Sequence, residues 1–193
     1  MDNLAEIRWH GRGGQGAKTA ALLFGEAAMS LGQYIQAFPE YGPERMGAPV
    51  QSFNRISPEP ITLHCGVTSP DIVVVLDPTL IATVDVFQGL NEGDSIIINT
   101  EKTSAAISDE LNIKDKGINV YTVDASGISK EEISRDIPNT PMLGALVKIY
   151  GKLDVEHVLV DMKNKLEKKF RHKPEVIEGN LKAIKRAYGE VKS

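Results

Sequence analysis

Ile7-Arg8-Trp9-His10-Gly11-Arg12-Gly13-Gly14-Gln15-Gly16-Ala17-Lys18-Thr19 is the stretch on which the reading of the fold turns. An apolar-leaning run breaks into four glycines, and an alanine- and leucine-rich segment follows at once. That pattern predicts strand, tight turn, helix. Glycines 11, 13 and 16 satisfy G-x-G-x-x-G, in which the missing side chains let the backbone turn sharply and approach an anion. The next helix would begin with free N–H groups and the positive end of its dipole, where a phosphate or carboxylate fits. The same turn can also serve as a packing device alone. Both standard nucleotide readings miss by a little. A dinucleotide site wants an acidic residue about 20 positions on, closing the second strand. The run Tyr34 to Phe38 ends without one, and Glu40 comes late, between Pro39 and Tyr41. A P-loop needs Lys-Thr directly after the last glycine, but Ala17 intervenes before Lys18 and Thr19.

Working outward, the helix should run from Ala17 to Leu31, with Leu22, Leu23, Ala27 and Leu31 at helical spacing and Gly32 as its stop. The second strand leads into Pro39-Glu40-Tyr41-Gly42-Pro43-Glu44-Arg45-Met46-Gly47-Ala48-Pro49. This loop concentrates Glu40, Tyr41, Glu44 and Arg45 beyond a strand end, the side of an open α/β sheet on which sites form. Residues 50–56 alternate apolar and polar, 57–60 turn, and 61–65 alternate again, which predicts a β-hairpin and a partly antiparallel sheet. Near-continuous β-branched runs at 71–77 and 95–100 read as strands buried on both faces, with helical residues around 79–90 between them. Residues 119–124 make a further strand. The alternation of strands and helices predicts a three-layer α/β domain around a mostly parallel mixed sheet. Asp77 and Asp124 end strands, where each can cap the following helix or face a ligand.

Ile137-Pro138-Asn139-Thr140-Pro141 opens an apolar helix with an Asn or Thr cap, and its Gly144 and Ala145 point to close packing. Two helices follow, about 155–170 and 174–191. Residues 163–192 carry a net +6, the rest of the chain −10. That asymmetry marks either a docking face or a solvated helix surface.

At 193 residues, 41% apolar and 25% charged, the chain has the size and composition of one globular domain. The single cysteine, Cys65, cannot form an internal disulfide or hold an iron–sulfur cluster or structural zinc by itself. No leader-like segment opens the chain and no apolar run approaches a membrane span, so a cytoplasmic protein without membrane contact is expected. An acidic chain with one Trp, five Tyr and five Phe offers no nucleic-acid footprint. His10, His64, His157 and His172 are scattered, with no metal-ligand spacing and no nucleophile elbow. No catalytic residue and no metal ligand is assigned. The chain reads as a binding or docking part of something larger.

Three segments together, WHGRGGQGAKTAALLFGEAA, QAFPEYGPERMGAPVQSFNRIS and IPNTPMLGALVK, resemble the gamma subunit of the 2-oxoacid:ferredoxin oxidoreductases. The similarity covers nearly the whole chain and is weakest at 101–118 and in the last helices. The E-R-x-G-A-P and IPNTPMLGAL forms are most similar to the pyruvate-type enzymes, with branched-chain and 2-oxoglutarate types close behind. The resemblance implies a Rossmann-like domain spanning 1–193, with a helical C-terminal extension from about 154. It implies alpha, beta and delta partner subunits, and ferredoxin reached through the complex. Thiamine diphosphate, magnesium and 4Fe-4S clusters would belong to the other subunits, so that this chain binds no cofactor by itself. The overall reaction would take pyruvate, coenzyme A and oxidised ferredoxin to acetyl-CoA, carbon dioxide and reduced ferredoxin. In such a unit the residues associated with coenzyme A would be Gly11, Arg12, Gly13, Gly14, Gln15, Gly16 and Lys18 of the turn, with Tyr41, Glu44 and Arg45 of the loop.

Two other readings stand beside it. One is a free-standing nucleotide-binding regulatory module, which would bind its nucleotide without partners. The other is a purely structural subunit whose glycine turn is packing.

Overall fold

The computed structural model describes residues 4–40 and 47–193. Six strands form one sheet in the order β2-β3-β1-β4-β5-β6. They are β1 (Ala5–Arg12), β2 (Tyr34–Glu40), β3 (Pro49–Ser57), β4 (Ile72–Val75), β5 (Ser95–Asn99) and β6 (Asn119–Val123). β1, β4, β5 and β6 pair in parallel, whereas β3 pairs antiparallel with both β1 and β2. β3 alone therefore runs against the other five.

The helices are α1 (Ala17–Ser30), α2 (Ser104–Glu110), α3 (Ala125–Ile133), α4 (Asn139–Tyr150), α5 (Val155–Lys169) and α6 (Pro174–Glu190). They divide the β-branched runs between two cores, because alternate strand residues face opposite sides. Ile7, Trp9, Val74 and Ile97 pack with Phe24 of α1, Leu143 and Leu146 of α4 and Ile184 of α6. Val73, Val75, Ile96 and Ile98 pack on the other side against Val86, Ile107 and Ile113. Three layers result, as the sequence predicts.

The antiparallel part is present, but β3 does not pair with residues 61–65. Both of its edges are already hydrogen-bonded, to β1 and to β2. The 61–65 segment runs irregularly, held where Arg55 donates to the carbonyls of Cys65 and Gly66 (2.8 and 3.0 Å). The helix expected around 79–90 shrinks to a single 3-10 turn, Pro78–Ala82. Beyond it, the carbonyls of Val86 and Gln88 accept from the buried Arg8 side chain instead of continuing a helix. α3 is the helix expected after Asp124, whose side chain accepts from Gly127 N, whereas the short α2, without an expected counterpart, opens on Thr103, which accepts from Ala106 N.

α4 is not a surface helix awaiting a partner. Residues 140–147 are all buried, and a Cβ on Gly144 would run into the Ile184 carbonyl of α6. The tight packing expected of Gly144 is therefore against the chain's own last helix. Its cap is Pro138, one residue before the expected Asn139 and two before Thr140. The basic end is partly neutralised within the chain. Lys165 pairs with Glu26 and Asp161, and Arg186 pairs with Glu131, Glu132 and Glu190. The far sheet edge is covered where Lys192 exchanges backbone hydrogen bonds with Thr122 of β6.

Candidate functional site

The glycine turn lies between the end of β1 and the start of α1. Gly14 and Gly16 adopt φ of 101° and 82°, the left-handed region that glycine enters without strain. Gly16 is the N-cap of α1 and supplies no side-chain bond. The first-turn N–H groups thus have no side-chain cap, as an anion site at a helix start requires.

Gln15 and Arg12 brace this turn from within. Gln15 Oε1 accepts from Arg12 N (2.7 Å), and Gln15 Nε2 donates to Asp77 Oδ2 (2.8 Å). Arg12 Nε donates to the same oxygen (3.1 Å), Nη2 to Thr79 Oγ1 (2.8 Å) and Nη1 to the Gly47 carbonyl (3.1 Å). Asp77 Oδ1 also accepts from Thr79 N and Oγ1. Burial pushes the Asp77 carboxyl up, but hydrogen bonds from Thr79 and Gln15 and the charge of Arg12 outweigh it and hold the pKa below the usual range. Asp77 thus takes the capping role at the 3-10 turn, and its other oxygen grips the glycine turn.

Segments distant in sequence meet here. Gly13 N donates to the Ala48 carbonyl (2.9 Å), and Gly47 N donates to the Gly13 carbonyl (3.2 Å). The end of the Pro- and Gly-rich loop is therefore stitched to the turn. From the other side, Asn139 of α4 closes on Gly16, where a Cβ would lie 2.5 Å from its Nδ2. The three segments that carry the family resemblance converge on one corner of the fold. Tyr41, Glu44 and Arg45 lie outside the described residues.

In front of the turn is a cavity of about 560 Å³, bounded by Gly13, Gly14, Gly16 and Lys18 on one side and by Glu40, Val50 and Ser52 of β2 and β3 on the other. Glu40 cannot play the ribose-binding acid of a dinucleotide fold. That acid ends the strand beside β1, whereas here β3 lies between β1 and β2, displacing Glu40 by about 4.8 Å per added strand. Ala17, at the position a P-loop gives to lysine, is buried.

Sequence reasoning missed two residues at this corner. Asn139 reads from the sequence only as a helix cap. Ser52 carried no signal, being one polar residue in an alternating strand; it is buried and its hydroxyl has no hydrogen-bond partner among the described residues.

Beneath the turn, on the opposite sheet face from α1, His10 accepts at Nε2 from Arg8 Nε (3.0 Å) and is buried. Burial first, then the Arg8 charge, pushes its pKa down to about 4, against a weaker pull from Asp85. It is neutral and structural. Among the described residues no three His, Cys, Asp or Glu side chains gather as a metal site. The chain's single cysteine cannot by itself hold an iron–sulfur cluster. No helix among the described residues is long and apolar enough to cross a membrane.

The chain is similar to known proteins over most of its length. Pyruvate synthase subunit PorC of Thermotoga maritima is 46% identical over 187 residues, covering 97% of this chain and 94% of that one. The pyruvate/ketoisovalerate oxidoreductases common subunit gamma of Thermococcus litoralis is 49% identical over 155 residues, covering 80% and 83%. The crystal structure of the pyruvate oxidoreductase subunit PORC from Thermotoga maritima superposes with a TM-score of 0.83 at 43% identity, covering 98% of both chains. The family model described as pyruvate ferredoxin/flavodoxin oxidoreductase matches residues 6–190, and this chain belongs to that family.

Proposed function

We propose that this chain is the gamma subunit of a pyruvate synthase, the complex that converts pyruvate, coenzyme A and oxidised ferredoxin to acetyl-CoA, carbon dioxide and reduced ferredoxin. The observation that carries this reading is the near-full-length correspondence with a pyruvate synthase subunit. The chain works as one gamma-type domain, its last two helices included, beside alpha, beta and delta subunits in the cytoplasm. Those subunits supply thiamine diphosphate, magnesium and 4Fe-4S clusters and pass electrons to ferredoxin. This chain contributes docking surface and the glycine turn. The turn and its cavity receive a phosphate of coenzyme A through the backbone N–H groups and dipole of α1, with Lys18 at the rim. Tyr41, Glu44 and Arg45 belong to the same coenzyme A region.

The test uses the assembled complex. Gly14 faces open space and holds φ 101°, so Gly14→Ala both intrudes on the cavity and strains the turn. The KM for coenzyme A should rise while that for pyruvate stays. KM values for both substrates unchanged from wild type, in a complex shown to be assembled, would leave the turn as packing. The purified chain alone should not reduce a viologen dye with pyruvate.

A second reading has its own support. The Thermococcus litoralis relative is named as common to pyruvate and ketoisovalerate enzymes. If this chain is shared likewise, tagging it should recover two sets of partner subunits, one active on each 2-oxoacid.

A further inference from the structure

Resting on the coenzyme A reading of the glycine turn, we propose that Ser52 is a ligand-binding residue of that site, its hydroxyl donating to a phosphoryl oxygen held at the start of α1.

Ser52 is 1% exposed, and among the described residues its Oγ is the one buried side-chain nitrogen or oxygen without a hydrogen-bond partner. Buried hydroxyls are ordinarily paired, so an orphan calls for a partner from elsewhere. Its neighbours explain the vacancy. On β1 and β2 it stands opposite Trp9 and Pro39. The Trp9 N–H is already given to Asn54 (2.8 Å), and proline has no N–H.

Direction follows from the register. Ser52 and Asn54 share a face of β3, since strand side chains alternate. Asn54 reaches the Ala21 carbonyl of α1 (2.8 Å). Two residues back along the strand is about one helical turn back along α1, so Ser52 faces the turn that begins at Ala17. Ala17 and Ser52 both line the cavity in front of the glycines. The helix N-terminus and Ser52, which carries the unpaired hydroxyl, thus border one space. An anion there would receive backbone N–H groups from one side and a hydroxyl from the other.

The experiment compares Ser52→Ala and Ser52→Thr in the assembled complex, measuring KM for coenzyme A and for pyruvate, inhibition by inorganic pyrophosphate, and thermal stability without ligand. Loss of one hydrogen bond to a charged group predicts a rise of roughly tenfold in the coenzyme A KM for Ser52→Ala. Pyrophosphate inhibition should weaken in parallel, the pyruvate KM should hold, and Ser52→Thr should restore most of the loss. Because the hydroxyl has no partner in the free protein, the ligand-free Tm of Ser52→Ala should be unchanged or higher. A Tm several degrees lower with coenzyme A kinetics intact would make Ser52 structural and overturn the inference. If Gly14→Ala weakens coenzyme A binding and Ser52→Ala does not, only this inference falls. If neither variant affects it, the inference and the reading of the turn fall together.

Discussion

Arg12 and Asp77, 65 residues apart in sequence, meet at 3.1 Å across the shoulder of the glycine turn, and Gln15 joins the same carboxylate oxygen at 2.8 Å. Arg12 and Gln15 therefore hold the shape of the turn, and the start of α1 borders the cavity. The grip also ties the turn to the end of β4, which the parallel pairing of β1 and β4 places alongside.

Replacing Asp77 with Ala should cost about 2 kcal/mol, since Arg12, Gln15 and Thr79 all lose a partly buried acceptor. For a chain of this size that lowers Tm by about 4–8 °C. Because the folded carboxyl is held below its unfolded value, its contribution is present above the unfolded pKa and fades as pH falls through the folded one. Calorimetry of Asp77→Ala should show a Tm gap from the wild type that narrows in acid. A gap that widens there would contradict the assignment.

Gly16→Ala should destabilise by about 2 kcal/mol, combining strain at φ 82° with the clash against Asn139. Adding Asn139→Ala removes the clash and leaves the strain, so the double variant should recover about half. Urea midpoints of the two variants decide it. Identical values would mean Asn139 yields freely.

His10 has a folded pKa of about 4 against about 6.5 unfolded. Between those values the unfolded chain binds more protons, so folding stability should drop as pH falls from 6.5 to 4, by about 3 kcal/mol in total. Above 6.5 the contribution is complete. His10→Gln, which keeps an acceptor for Arg8, should flatten this part of the curve. Parallel pH profiles for variant and wild type would show that His10 is not the group responsible.

Gly144→Ala should be among the most damaging single-methyl additions in the chain. The Cβ meets the Ile184 backbone carbonyl, which cannot rotate aside, so α4 and α6 must separate. A loss of about 3 kcal/mol is expected. Gly189→Ala, in open space on α6, is the control and should be neutral or slightly stabilising. Equal Tm values for the two would defeat this account of the helix pair.

Local chemistry made much of this protein legible in its residue order. The glycine turn, the bounds of α1, α5 and α6, and the strands at β4, β5 and β6 follow from spacing, β-branching and helix breakers, each acting within a few residues. The segments of family resemblance are visible as strings in the same way. Which partner a strand takes is a different matter. Residues 61–65 alternate as well as any strand, yet β3 had no free edge for them, and only the assembled sheet shows that. α4 looks from its composition like a helix awaiting a partner, and only tertiary packing shows that α6 supplies it. Most of all, the corner where Gly13, Gly47, Asp77 and Asn139 meet, with Ser52 unpaired beside it, exists only once the chain has closed on itself. Periodicity reports which face of an element is buried, whereas long-range hydrogen bonds and orphaned polar atoms depend on which elements become neighbours.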